Sequence, residues 1–343
     1  MSDLEFNSSP RAESVGRELY WKSYRIMLQA RVLEEKLASL YRAGMIKGGV
    51  FLGRGQEALS VSLGVHLRPG DIYAPLIRDQ AGRMAFGDTI LDTLRTYLGS
   101  QLGSMRGRDG NIHRGRPREG YYAMISHLGA MIPVVVGALM ARRFRGETGV
   151  VGATCIGDGG TSTGAFHEGL NVAAVEKVPL VLVIANNQYA YSTPTSRQYA
   201  CKSLADKAVG YGVPVYEVEG TDLGDCLAGI GEAVSAARAG GGPQLVVGNL
   251  LRLVGHGEHD DFSYLDPKLR EQKIGRDCLE VAEAYLIEKG WASAEELAAL
   301  RGQFVSEIEA VAARVQREPA PDPAEEDWRA ISEVSLIDGY QES

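Results

Sequence analysis

Paired cysteines are missing from this chain: Cys155, Cys201, Cys226 and Cys278 stand far apart and form no CxxC pair. In 343 residues with 45% apolar side chains a sizeable core can form without covalent staples, so these thiols read as reduced and intracellular. An excess of positive charge is missing too. Lys and Arg number 36 against 44 Asp and Glu, net -8, the opposite of what neutralising a phosphate backbone requires, so no nucleic-acid partner is expected. The opening run MSDLEFNSSPRAES carries charges where an export signal needs its apolar stretch, and a cytoplasmic location is expected. Residues 120–141 hold no Asp, Glu, Lys or Arg, and 22 such residues are enough to span a bilayer. They also hold Ser126, His127, Pro133 and several glycines, so a buried loop and helix are expected there, not a membrane span.

What is present is patterned as one α/β domain over 1–343. Residues 13–48 carry a helical stripe (Leu19, Ile26, Leu33, Leu37, Leu40) with charges opposite, which predicts a long amphipathic N-terminal helix. From 50 to 256, apolar runs at 149–156, 178–185 and 243–247 alternate with helical stretches, the signature of a parallel sheet covered by helices on both faces. Residues 262–343 form a helical extension and acidic tail. Its helix opens on a Ser293/Glu296 capping box and continues through Leu297, Leu300, Phe304, Ile308, Val311 and Val315.

The strongest local signal is IGDGGTSTG at 156–164, where a buried strand stops and a helix is about to start. Strand carboxyl ends and helix N-termini collect phosphates, and an acid such as Asp158 beside a phosphate implies a hard cation, most simply Mg2+. Gly-Asp-Gly is also ordinary turn chemistry, with Asp158 as a cap. The next strand runs into NNQYAYSTP at 186–194, one helix and one strand further on, so two neighbouring strand ends can meet. Asn187 can offer an amide oxygen and the following loop a backbone carbonyl, or the two asparagines simply make a turn.

With its spacing, GDGGTSTGAFHEGLN followed by NNQYAYSTPT resembles the alpha subunit of the thiamine-diphosphate-dependent first component of 2-oxo acid dehydrogenase complexes. The likeness extends from LYRAGMIKG (40–48) and GQEA (55–58) nearly to the tail. The resemblance implies a thiamine-diphosphate-binding fold and assigns Asp158 and Asn187 as Mg2+ ligands through their side chains, with Tyr189 ligating through its carbonyl. It makes Arg78 the grip on the diphosphate, a role suited to a fixed fork of donors. Ser126 and Leu128 would contact the aminopyrimidine, Gly159 and Gly160 would let backbone N–H groups approach the diphosphate, and His256 would be the active-site histidine. It implies a separate beta subunit in a heterotetramer of two alpha and two beta chains, a lipoyl acyltransferase component as acceptor, and a small 2-oxo acid substrate.

Branched-chain 2-oxo acids or pyruvate rank ahead of acetoin on the YAYSTP run, with transketolase-like ketol transfer and a non-catalytic scaffold as competitors. Zinc at His256 and His259 is not expected, because the partner cysteines and spacings of zinc enzymes are absent. Leu76-Ile77 replaces a commonly polar or aromatic pair before the arginine, and Val247 and Leu251-Arg252 depart from the usual acid and Tyr-Arg. Gly257 stands where some relatives carry a regulatory phosphoserine, and Ile125, Ala130 and Met131 lack the oxygens of a potassium site, so neither feature is expected. Arg106, Arg108, Arg114, Arg116 and Arg118 crowd one loop. They suit either the active-site mouth, drawing anionic substrates, or a solvated loop paired with Asp109 and Glu119.

Overall fold

The computed structural model describes residues 11–110 and 112–325; most of the opening run and the last part of the acidic tail, 326–343, lie outside the described residues. In chain order the elements are α1 (Arg17–Arg42), α2 (Glu57–His66), β1 (Ile72–Ala74), α3 (Gln80–Ala85), α4 (Ile90–Tyr97), α5 (Met131–Phe144), β2 (Gly152–Gly157), α6 (Gly164–Glu176) and β3 (Leu180–Asn186). A two-residue hairpin follows, β4 (Tyr189–Ala190) with β5 (Thr193–Pro194), then α7 (Asp206–Tyr211), β6 (Val215–Glu219), α8 (Leu223–Arg238), β7 (Gln244–Asn249), α9 (Cys278–Glu288) and α10 (Ala294–Val315).

Five strands form one parallel sheet in the order β1-β2-β3-β7-β6. Their apolar runs are explained by burial on both faces. Alternate side chains of each strand enter different cores. Tyr73, Ala153, Val181, Val183 and Val246 pack toward α1, α2 and α8, while Ile72, Ile156, Leu182, Ile184 and Val247 pack toward α5 and α6. The α/β class expected from the sequence, a parallel sheet covered by helices on both faces, is what the chain adopts.

The expected helix at 13–48 is shorter, because Ala43 caps it and Gly44 takes a φ of +70° that ends the α conformation. It is also less amphipathic than its stripe suggests. Tyr20, Tyr24, Met27 and Leu28 are buried with Leu33, Leu37 and Leu40, since α1 packs against α2 and α3 as well as α9 and α10. That position buries Arg31 and Glu34 as well. The capping box of α10 is present, with Ser293 accepting from Glu296 N and Glu296 accepting from Ser293 N. Residues 120–141 form a loop and most of α5, and among the described residues no helix is long and apolar enough to cross a membrane.

Candidate active site at the strand carboxyl ends

β7 is inserted between β3 and β6, so the direction of strand addition reverses beside β3, the place where open parallel sheets form a ligand crevice. A cavity of about 360 Å3 lies there. Four adjacent strands deliver most of its polar residues: Arg78 follows β1, Asp158 follows β2, Asn187 and Tyr189 follow β3, and Arg252 and His256 follow β7, while Gln56 comes from the start of α2.

Asp158 is 1% exposed. Its Oδ1 accepts from Gly159 N at 3.0 Å and its Oδ2 from Gln198 Nε2 at 3.2 Å. Burial pushes its carboxyl up to about 6, a cost that these two hydrogen bonds and Arg252 only partly offset. Asn187 is buried alongside; its Nδ2 donates to Gln56 Oε1 at 3.4 Å. The Tyr189 carbonyl accepts from Arg252 Nη1 at 3.3 Å, which leaves its second lone pair. Among the described residues no three His, Cys, Asp or Glu side chains gather into a metal cluster. One carboxylate with amide and carbonyl oxygens is instead a hard donor set that suits Mg2+.

Across the cavity Arg78 is also buried, and among the described residues no carboxylate lies within hydrogen-bonding distance of it. Nη1 donates to Leu52 O at 3.0 Å, and Nη2 to His256 O at 2.6 Å and toward His256 Nδ1 at 3.3 Å. Burial and Arg252 lower the guanidinium to about 10. Because Arg78 donates to Nδ1, the neutral His256 ring carries its proton on Nε2. Burial, Arg78 and Arg252 push this histidine down to about 4, and its ring packs 4.4 Å from that of Tyr191. Arg252 braces the same region through Val254 O, Tyr191 O at 2.8 Å and Tyr264 Oη.

Not every expected residue meets the cavity. Leu128 lines it and is 54% exposed, but Ser126 is outside it, exposed and hydrogen-bonded to His113 Nε2 at 3.0 Å. Gly159 and Gly160 line it for a reason beyond backbone approach. A Cβ on Gly159 would collide with that of Ala190, and one on Gly160 with Ile156. The Gly159 N–H is engaged by Asp158. Leu76 and Ile77 supply an apolar wall. The arginine-rich loop divides. Arg114 is buried in an ion pair with Asp88, Arg116 pairs with Glu119 at 2.9 Å, and none of the five arginines lines the cavity. Asp109 pairs with His113.

Sequence reasoning assigned Gln56, Arg252 and Gln198 no role at the site. Of the three, only Arg252 carried a signal, a cation shortly after a buried strand.

A parallel sheet that gathers a buried acid, amide and carbonyl oxygens and two arginines at the carboxyl ends of its strands defines an α/β protein with a polar crevice at its switch point. Within that class, residues 24–324 match the model of the dehydrogenase E1 component, and the chain belongs to that family. It is 35% identical over 301 residues to the alpha subunit of acetoin:2,6-dichlorophenolindophenol oxidoreductase from Cupriavidus necator, covering 88% of this chain and 90% of that one. It is 34% identical over 275 residues to the 2-oxoisovalerate dehydrogenase alpha subunit of Bacillus subtilis, covering 79% and 83%. With the pyruvate dehydrogenase E1 alpha subunit of Rhizobium meliloti the identity is 31% over 305 residues, 89% and 87% of the two chains. The resemblance to 2-oxo acid dehydrogenase alpha subunits expected from the motifs is borne out.

Proposed function

We propose that this chain is the alpha subunit of a thiamine-diphosphate-dependent dehydrogenase that acts on a branched-chain 2-oxo acid or pyruvate. One observation supports this above the rest: Asp158 and Arg78 are buried charges facing one cavity, and among the described residues neither has an opposite charge in direct contact. A cation bound to a diphosphate complements both at once.

Asp158, Asn187 and the Tyr189 carbonyl would hold Mg2+, and Arg78 would bind the diphosphate oxygens. When bound, thiamine diphosphate supplies a carbon nucleophile for the keto carbon and an electron sink for loss of CO2. The chain's own work is positioning and charge. His256 keeps a proton at Nε2, where it can donate to the substrate carboxylate or a developing oxyanion, and Arg78 keeps that tautomer by occupying Nδ1. Leu76, Ile77 and Leu128 make one wall apolar. A separate beta subunit completes the site in a heterotetramer of two alpha and two beta chains, and a lipoyl acyltransferase component receives the acyl fragment.

Acetoin cleavage is the second reading, favoured by the 35% identity to an acetoin-oxidising relative. Co-expression with a candidate beta chain, followed by reduction of an artificial electron acceptor with pyruvate, 3-methyl-2-oxobutanoate and acetoin in parallel, separates the readings. Turnover that requires Mg2+ and thiamine diphosphate and is lost in Asp158→Ala is expected. Turnover that survives that substitution would overturn the site.

A further inference from the structure

Gln198 follows the β4–β5 hairpin and reaches back to the turn after β2. Its Nε2 is shared between Asp158 Oδ2 at 3.2 Å and Thr193 O at 2.8 Å. Its own carbonyl accepts from Ser162 Oγ at 2.9 Å, and its backbone N–H donates to Thr195 O at 3.0 Å. Thr193 pairs with Ala190 across the hairpin, next to the Tyr189 and Pro194 pair. One amide therefore ties the carboxylate on the turn after β2 to the hairpin that carries the Tyr189 carbonyl. The contact of Ala190 with Gly159 limits how close the two segments come. It does nothing to stop them separating.

The other end of this side chain works against stability. Gln198 Oε1 is buried and, among the described residues, has no hydrogen-bond partner. A buried polar atom left unpaired costs about 1–3 kcal/mol. Turning the amide over brings no relief, because Oε1 would then face Asp158 Oδ2 and the Thr193 carbonyl, two acceptors. An apolar side chain of similar length would remove this orphaned oxygen, but it would also take the donor away from Asp158 Oδ2. The amide is thus committed at its nitrogen end to the Asp158 carboxylate and the hairpin, while its oxygen end adds nothing.

We infer that Gln198 is a positioning residue for the cation site, fixing the separation between the Asp158 carboxylate and the Tyr189 carbonyl. The inference rests on the reading of those two groups as Mg2+ ligands. Partners one layer behind a metal ligand typically change metal affinity about 10–100-fold when removed.

The test uses the assembled complex with its beta chain and measures Mg2+ binding calorimetrically in the presence of inorganic pyrophosphate. Thermal unfolding is followed without Mg2+. Gln198→Met and Gln198→Leu are expected to weaken Mg2+ binding by about 10–100-fold. Their unfolding temperature without Mg2+ should move little, since each variant removes an orphaned oxygen and a donor to a buried carboxylate together, whereas a large fall with Mg2+ affinity unchanged is what a merely structural glutamine would give. Asp158→Ala run in parallel separates the failures. If Asp158→Ala abolishes Mg2+ binding while both Gln198 variants bind within twofold of the parent, the role of Gln198 is overturned and the cation site stands. If Asp158→Ala binds Mg2+ normally, the cation site itself is wrong and the inference falls with it.

Discussion

Glu34 and Arg78 hold opposite ends of one peptide group. The Gly53 N–H donates to both carboxylate oxygens of Glu34 at 2.9 Å, and the Leu52 carbonyl of the same peptide accepts from Arg78 Nη1 at 3.0 Å. Gly53 has to be glycine, because a Cβ would run into the Arg78 carbonyl oxygen. The peptide is polarised from both sides, so the buried guanidinium is supported by an acid it does not touch. Burial and the neighbouring Glu57 push the Glu34 carboxyl upward.

Glu34→Ala leaves the Gly53 N–H buried without an acceptor and should cost about 1–3 kcal/mol in denaturant unfolding. Glu34→Gln keeps an acceptor and removes repulsion with Glu57, and should be close to neutral. Equal losses in the two variants would show that charge, not the hydrogen bond, matters.

Arg78→Lys keeps the charge but loses the fork that reaches Leu52 O and His256 O together. Pyrophosphate affinity, measured with Mg2+ in the assembled complex, should fall about tenfold or more, equivalent to about 1.4 kcal/mol. An unchanged affinity would remove Arg78 from the anion site.

His256 is lowered from 6.5 to about 4 in the fold, so between those values the unfolded chain takes up a proton that the folded one refuses. Its contribution to stability is therefore complete above pH 6.5 and is lost as the pH falls toward 4. Urea unfolding at pH 7 and pH 5 should show a smaller difference between the two pH values for His256→Gln than for the parent. The same difference in both would mean that the folded histidine is already protonated at pH 5.

Gly159→Ala should displace the β4–β5 hairpin, because its new Cβ occupies the place of the Ala190 methyl group. Removing that methyl should relieve the clash. Mg2+ affinity in Gly159→Ala is expected to drop and to recover substantially in Gly159→Ala/Ala190→Gly. A double variant as weak as the single one would place the damage in the Gly159 backbone instead.

How much of this could be read from the chain follows the range of the forces involved. The three central strands announced themselves because burial on two faces demands continuous apolar runs, found at β2, β3 and β7. The edge strands did not. β1 has three residues, and β6 alternates exposed Glu217 with a buried Val218, so neither makes such a run. Asp158 and Asn187 were legible because a strand end fixes their place locally. Gln198, Arg252 and Glu34 matter only through contacts with residues far away in the chain, to which composition and periodicity are blind. Arg114 makes the same point, since its buried pairing with Asp88 cannot be told from a surface charge until the chain is folded.

The position of β7 has a consequence for synthesis. Both of its neighbours leave the ribosome earlier, β3 with one edge open and β6 with no strand beside it. Open strand edges are templates for pairing with the wrong chain. Arg252 and His256 arrive directly behind β7, so its insertion covers those edges and brings the last wall of the cavity into place in one event. A nascent chain is exposed to aggregation for as long as it lacks its chemistry, and both conditions end together.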